Sequence, residues 1–185
     1  MSAVRTEGSK IPDGIRIYRE ETFEEREIAG LCDVLIDCVE GGASVSFMAP
    51  ISRETAENFW RKVAASAARA ERAVIVAGDE TGRILGTVQV MWDLPENQPH
   101  RGDVAKMLVH RAARGRGLGA ALLAAAEQCA RDEGKTLLVL DTVTDSDGYR
   151  LYERGGWHRA GEIPNYALMP DGTPCPTTYF YKEIG

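Results

Sequence analysis

Apolar residues recur along the chain at two different spacings, and these spacings predict an alternation of strands and helices. Residues 15–19 alternate apolar and polar side chains, which is typical of a short strand. Over residues 23–41 and 52–69 the apolar positions recur every three or four residues, which indicates two amphipathic helices. Two glycines end the first helix, and Ser52 is a suitable N-cap for the second.

The middle of the chain predicts an antiparallel hairpin followed by a third central strand. A buried strand over 73–77 and a returning strand over 83–92 are joined by residues that favour a turn. Prolines and an asparagine in residues 93–102 predict a loop, and residues 103–109 predict the next strand.

The second half of the chain predicts six more segments, in the order helix, strand, helix, strand, loop and strand. They cover residues 117–134, 136–141, 146–154, 157–162, 164–176 and 177–182. The apolar run at 136–141 is typical of a strand buried on both faces of a sheet. This order predicts one mixed α/β domain over residues 15–185, preceded by a flexible polar tail over residues 1–14.

Composition and charge narrow the class of protein. The chain has 185 residues, 44% of them hydrophobic, which fits one folded domain and excludes an intrinsically disordered chain. Its formal net charge of −6 argues against a nucleic-acid-binding protein, which usually presents a basic surface. An acidic protein remains compatible with a cationic small substrate.

The cysteines and the apolar segments suggest a cytoplasmic protein without a bound metal. None of the four cysteines forms a C-x-x-C pair or has a histidine at ligand spacing, so no metal site is expected. The first residues contain no apolar signal segment, and no apolar run approaches the roughly 20 residues that span a membrane. We therefore expect a cytoplasmic protein with no membrane partner; the oligomeric state, including a homodimer, stays open.

The most informative stretch is a glycine-rich turn between the strand at 103–109 and the helix at 117–134. Glycines allow a tight turn whose amide groups approach a ligand closely, and the following helix N-terminus favours an anion. Three nearby arginines would add positive charge for a phosphate-bearing ligand; they are Arg111, Arg114 and Arg116. The spacing fits neither a P-loop nor a Rossmann fingerprint, and a plain solvated loop remains the alternative.

The pattern Arg114-x-x-Gly117-x-Gly119 resembles the [Q/R]-x-x-G-x-[G/A] motif of the GCN5-related N-acetyltransferase (GNAT) superfamily. The predicted order of elements is also similar to that fold. The resemblance implies an α/β protein with a central mixed sheet of six to seven strands flanked by about four helices. It implies acetyl-CoA as cosubstrate, held by the strand before the turn and by the turn itself. The residues concerned would be Met107, Leu108, Val109, Arg114, Gly115, Arg116, Gly117, Leu118 and Gly119.

A narrower resemblance concerns the tabtoxin-resistance acetyltransferases. It rests on residues 42–47, 106–109, 140–142 and 163–166, and on the tail over 170–180. This branch acetylates an amino-acid-like β-lactam toxin. The resemblance therefore implies a small amino-acid-like or antibiotic-like acceptor and a role in antibiotic resistance.

Acetyl transfer to an amine requires a group that removes the amine's proton, and two aspartates are candidates. Asp103 begins its predicted strand at a position resembling the basic glutamate of some superfamily members. Asp141 ends the next predicted strand and resembles an aspartate proposed as catalytic in the tabtoxin-resistance branch. An ordinary aspartate, with a pKa of about 3.9, is a weak base, so burial or a water relay is needed. A purely structural role is the alternative for each.

Tyr152 is the candidate acid. It lies in residues 151–157, which resemble the family pattern Y-x-x-x-G-[F/W], where the tyrosine hydroxyl points to the sulfur of CoA. A phenol with a pKa of about 10 is protonated at neutral pH and can donate to a thiolate. Tyr149, three residues earlier, is the alternative.

Two aromatic residues are candidates for acceptor binding. Trp92 precedes the loop over 93–102, and Tyr166 lies in the proline-containing loop over 164–176. The sequence thus predicts an acetyl-CoA-dependent N-acetyltransferase that acts on a small amine by direct attack in a ternary complex. The alternatives are acetylation of a protein or peptide amine, and a non-catalytic acyl-CoA-binding module.

Overall fold

The computed structural model describes residues 2–3 and 11–185, and within them eight strands form one mixed sheet with helices on both faces. The strands are β1 (Ser2–Ala3), β2 (Ile15–Glu20), β3 (Arg72–Asp79), β4 (Ile84–Met91), β5 (Arg101–Val109), β6 (Leu137–Val143), β7 (His158–Leu168) and β8 (Pro174–Glu183). The helices are α1 (Glu25–Glu40), α2 (Arg53–Ala68), α3 (Leu118–Asp132) and α4 (Asp147–Arg154). The predicted α/β class, with a mixed sheet and about four helices, is confirmed.

The predicted tail over residues 1–14 lies mostly outside the described residues. Of its described part, β1 pairs antiparallel with β2 and adds a strand that the sequence pattern did not predict. The single domain over residues 15–185 stays a prediction. In the part of the chain that the structure describes, no helix is both long and apolar enough to cross a membrane.

Successive side chains of the central strands pack into two separate apolar layers, one on each face of the sheet. Ile75 and Val88 pack in the layer that contains α3, whereas Val74 and Val76 pack in the layer that contains α1 and α2. Strand residues have a repeat of two, so successive side chains point to opposite faces of the sheet. Because both faces of β3 and β4 are covered, the sheet is rigid at its centre.

The sheet opens between its two parallel strands. The order is β1-β2-β3-β4-β5-β6-β8-β7, and only β5 and β6 run parallel. Their pairing covers three positions and ends at Asp103 opposite Val139. Further along, β5 stays paired with β4, and β6 stays paired with β8. A gap therefore opens in the middle of the sheet toward the C-terminal ends of β5 and β6.

β5 carries a bulge shortly before the strand reaches the glycine-rich turn. The register changes between the pairs Thr87–Leu108 and Gln89–Ala105, so β5 contains one residue more than β4. Lys106 lies in this bulge with a φ of 51°, which is in the left-handed region. Bulges bend a strand and leave backbone groups unpaired, so the backbone after Lys106 can face a ligand.

The structure corrects several predicted boundaries. The loop predicted over residues 164–176 is wrong, because β7 continues to Leu168 and β8 begins at Pro174. Proline lacks the amide donor of a strand ladder, but an edge strand and the first position of a strand tolerate it. β5 begins at Arg101 instead of Asp103, and β6 continues to Val143, so Asp141 lies inside its strand.

Candidate active site

A cleft of about 1060 Å³ lies where β5 and β6 separate. One wall is the bulged end of β5, and the other includes the end of β6 together with α4. The glycine-rich turn and the first turn of α3 close one end. The cleft therefore gathers segments that the sequence separates by more than 40 positions.

The glycine-rich turn leaves its backbone open toward this cleft. Gly115 and Gly117 have φ angles of 74° and 82°, which favour glycine over other residues. A Cβ atom built on either residue would meet no atom within 4 Å. Gly117 is also the N-cap of α3, so the amide groups that begin this helix have no side-chain cap. Such amide groups at a helix N-terminus attract an anion.

The three arginines of the turn differ in their contacts. Arg114 lines the cleft, and its Nε donates a hydrogen bond to the Val109 carbonyl at 3.1 Å. The Arg111 side chain instead donates to Asp37 of α1 at 2.9 Å. Arg116 is exposed and does not line the cleft. Eight of the nine residues predicted to hold the cosubstrate thus line the cleft, with Arg116 as the exception.

Tyr152 is placed on the cleft by α4. Ser146 caps this helix by accepting a hydrogen bond from the Tyr149 amide at 3.1 Å. Tyr152 lines the cleft with only 5% of its surface exposed, and its ring packs near Trp157 and Phe180. Burial raises the pKa of its phenol, and the charge of Asp141 raises it further. The hydroxyl therefore keeps its proton at neutral pH.

Tyr149, the alternative acid, has a different environment. Its ring packs edge-on against Phe180 with centroids 5.2 Å apart, and it is not among the residues that line the cleft. The geometry therefore favours Tyr152 over Tyr149.

Asp141 lies on β6, immediately before the cleft residues Thr142 and Val143. The residue is exposed on one side, but neighbouring protein partly buries its carboxyl group. This partial burial raises the pKa of the carboxyl. The nearby Lys106 ammonium opposes that rise. A carboxylate with a raised pKa is a stronger base than a free aspartate.

Asp103 lies where the pairing between β5 and β6 ends, and its carboxylate is already engaged. It forms an ion pair with Arg101, whose guanidinium also donates to Gln98 at 2.7 Å. Burial raises the pKa of Asp103, and Arg101 opposes this rise. Neither Asp103 nor Asp141 is among the residues that line the cleft, but Asp141 directly precedes two that do.

The two predicted acceptor-binding residues lie in different places. Trp92 lies away from the cleft; its indole nitrogen donates to the Ala70 carbonyl, and the Arg19 guanidinium lies 5.6 Å from its ring. Tyr166 is 49% exposed on β7, and its hydroxyl accepts a hydrogen bond from Tyr179 at 2.8 Å. Tyr179 is the cross-strand partner of Asp141, so Tyr166 lies near the candidate base.

Sequence reasoning missed two polar residues near Asp141. The alternation of residues 177–182 places Tyr179 on the opposite face from buried Phe180, and this signal could have found it. No spacing signal marks Lys106, because only the bulge determines where its side chain points. No group of three or more His, Cys, Asp or Glu side chains in the described ranges is arranged to hold a metal.

The mixed sheet that splits at this cleft gives the protein an α/β fold shared with solved N-acetyltransferase structures. The chain belongs to the acetyltransferase (GNAT) family, whose family model matches residues 41–157.

Individual relatives agree with this assignment. The chain is 30% identical over 129 residues to an uncharacterized N-acetyltransferase from the hisH-hisA intergenic region of Azospirillum brasilense, covering 69% of this chain and 74% of that protein. An N-acetyltransferase structure from Staphylococcus aureus Mu50 superimposes with a TM-score of 0.76 at 16% identity, covering 92% and 99% of the two chains. The yncA protein of Salmonella typhimurium, solved with its cofactor acetyl-CoA, gives a TM-score of 0.75 at 18% identity, covering 94% and 95%.

Proposed function

We propose that this protein transfers the acetyl group of acetyl-CoA to the amine of a small amino-acid-like or antibiotic-like molecule. The observation that carries the proposal is that one cleft gathers three separate features. They are the bulged end of β5, the open glycine-rich turn with the start of α3, and the buried hydroxyl of Tyr152. The similarity of several segments to the tabtoxin-resistance branch supports the choice of acceptor.

The turn suits the phosphates of acetyl-CoA. Space beside Gly115 and Gly117 lets an anion approach the backbone amides, and the guanidinium of Arg114 faces the same cleft. The backbone of Met107, Leu108 and Val109 lines the cleft after the bulge and can bind the thioester arm. An amide group there would also stabilise the oxyanion that forms during acyl transfer.

Tyr152 on the cleft and Asp141 beside it match the two proton transfers of the reaction. The amine forms a bond to the acetyl carbon, and the bond from that carbon to sulfur breaks. Asp141 accepts the proton of the amine, directly or through a water molecule, and Tyr152 donates a proton to the departing thiolate. A module that only binds acyl-CoA has no use for this acid and base. Asp103, held by Arg101, is the second candidate base.

Contacts across the cleft favour a small acceptor over a peptide. The segment between α1 and α2 reaches the turn between β7 and β8, where the Ser44 hydroxyl donates to the Leu168 carbonyl at 2.8 Å. The Ala49 amide donates to the Pro170 carbonyl at 3.0 Å. These contacts join the segment between α1 and α2 to the β7–β8 hairpin, which favours a small acceptor over a peptide that would have to lie between them. Tyr166 remains in the proposed acceptor site, and Trp92 does not.

The proposal is tested by measuring acetyl-CoA binding by calorimetry and acetylation of an amine panel by release of free thiol. The decisive variant is Gly117→Glu, which places a carboxylate where phosphates are expected. We expect its affinity for acetyl-CoA to fall at least about 100-fold, because like charges in contact cost several kcal/mol.

Gly134→Glu is the matched control. Gly134 also has a positive φ, of 71°, and also has open space around a built Cβ, but it follows the other end of α3. The control carries the same strain and charge, so it should bind acetyl-CoA like the wild type. Equal binding by both variants would refute the phosphate site.

A further inference from the structure

We propose that Lys106 binds a carboxylate of the acceptor, so that the acceptor is an amino-acid-like molecule held by both its amine and its carboxylate. This inference rests on the proposed acetyltransferase function and adds a residue that selects the acceptor. It comes from the positions of Lys106, Ser46 and Asp141 around the gap in the sheet.

The ammonium of Lys106 is held in a defined place by strained backbone. Lys106 and Ser46 have φ angles of 51° and 77°, both in the region that residues other than glycine rarely adopt. Lys106 Nζ donates to the Ser46 hydroxyl at 2.9 Å and lies 5.9 Å from the centre of the Phe59 ring. Strain of this kind persists where the surroundings fix it, and it is concentrated at ligand-binding and active sites.

The ammonium of Lys106 also forms no ion pair with any side chain that the structure describes. Other basic side chains form ion pairs: Arg101 with Asp103, Arg111 with Asp37, and Lys182 with Glu127. Within the described residues, none of the ion pairs includes Lys106. Lys106 is partly buried, and this burial lowers the pKa of its ammonium. A partly buried charge normally has a partner, so an anion from outside the chain would complete the site.

Asp141 supplies the complementary charge across the gap. Asp141 and Lys106 each shift the other's pKa, although no ion pair joins them. A zwitterion is complementary in charge to two such groups: its ammonium would lie next to Asp141, where the proton must leave, and its carboxylate next to Lys106. One ammonium and one hydroxyl, that of Ser46, match a singly charged group with two oxygens.

The test compares L-amino acids with their α-amides as acceptors, for the wild type and for Lys106→Met. In the α-amides an uncharged carboxamide replaces the carboxylate, and the amine is unchanged. The measured quantity is the ratio of kcat/KM for each acid to kcat/KM for its amide. We expect Lys106→Met to lower this ratio by about 10- to 100-fold, mainly through the KM of the acid, because a hydrogen bond to a charged group is lost. Ser46→Ala should lower the ratio less.

The controls separate this inference from the proposed function. Lys135→Met removes a lysine whose Nζ contacts the Pro99 carbonyl, away from the cleft, and should leave the ratio unchanged. Lys106→Met should still bind acetyl-CoA. A wild-type protein that does not bind acetyl-CoA would refute the proposed function, and with it this inference, whereas an unchanged ratio in an active Lys106→Met variant would refute this inference only.

Two results would overturn the assignment of Lys106. One is a wild-type protein that binds acetyl-CoA but acetylates none of the acids. The other is an equal loss of activity by Lys106→Met on acids and amides. That result would mean that the lysine acts only through the pKa of Asp141.

Discussion

Tyr152 is positioned on the cleft and keeps its proton, as a general acid for a thiolate must. Its hydroxyl lies on the cleft, and its pKa is raised by burial and by the negative charge of Asp141. The phenol therefore remains protonated at any pH at which the enzyme would work. Ring packing against Trp157 and Phe180 fixes the direction of the side chain.

Replacing Tyr152 with phenylalanine should lower kcat by about 100-fold or more, because the thiolate would leave without a proton. The ring and its packing remain, so acetyl-CoA affinity and stability should change little. Tyr149→Phe removes the neighbouring hydroxyl and provides the comparison. A larger loss of turnover in Tyr149→Phe would assign the acid to that residue.

Asp141 should give the reaction an acidic limb in its pH profile. Partial burial raises the pKa of the carboxyl, so the carboxylate becomes protonated, and useless as a base, at a higher pH than a free aspartate. We expect kcat/KM to fall on acidification with an apparent pKa above the ordinary aspartate range. Asp141→Asn should lower kcat by about 100-fold and remove this limb.

Asp103→Asn distinguishes the two candidate bases. Its carboxylate is paired with Arg101, so we expect the variant to keep the acidic limb of the wild type. Loss of the limb in Asp103→Asn, with the limb intact in Asp141→Asn, would reverse the assignment.

Helix α4 matters because its eight residues carry Tyr152 to the cleft. A helix this short depends on its cap, and Ser146 supplies it. Removing the cap with Ser146→Ala should lower the free energy of unfolding by about 1 kcal/mol. Turnover should also fall about tenfold, because small displacements of a catalytic group are costly. Denaturant titration and kinetics measure the two effects.

Ser52→Ala is the matched control for that prediction. Ser52 caps α2 by accepting a hydrogen bond from the Thr55 amide at 3.1 Å, in the same geometry as Ser146. We expect a similar loss of stability without the loss of turnover. If both variants lose turnover equally, the position of α4 is not what limits the reaction.

At the scale of elements, the sequence predicted correctly the helices that depend only on residues close together in the chain. The cap at Ser52 and the apolar periodicity of α1, α2 and α3 are properties of the chain itself, and these helices lie where predicted. The C-terminal end of β7 and the start of β8 depend instead on pairing with each other, Ala167 with Cys175 and Leu168 with Pro174. Pro164 and Pro174 therefore suggested a loop. Both lie instead in the strands of the β7–β8 hairpin, at positions where a sheet tolerates proline.

The candidate site was predictable where it follows from the backbone of the turn, and not where it depends on distant partners. Spacing identified Gly115 and Gly117, whose positive φ angles come from local sequence. Spacing could not reveal that Arg111 pairs with Asp37, which lies 74 positions earlier. Lys106 was missed for the same reason, because a register shift against β4 creates the bulge.

For the whole molecule, the net charge of −6 conceals a local balance of charges. Glu127 of α3 accepts hydrogen bonds from Lys182 at 2.7 Å and from the Trp157 indole at 2.9 Å. This network ties the helix that begins at the proposed phosphate site to β8 and to the start of β7. The positive charge of Lys182 is thus paired within the protein, although this residue lines the cleft. Arg114 and the amide groups of the turn can bind a ligand.

The long hairpin of β7 and β8 has one further consequence. Among the described strands, β7 ends the sheet, and it exposes Ile163, Tyr166 and Leu168. A flat, exposed apolar edge is a template for aggregation. Its register with β8 is irregular between Ile163 and Ala167, and Asn165 there has a φ of 52°. Together with Pro164, which has no amide hydrogen to donate, this interruption breaks the regular ladder that a second chain would need to pair with the edge.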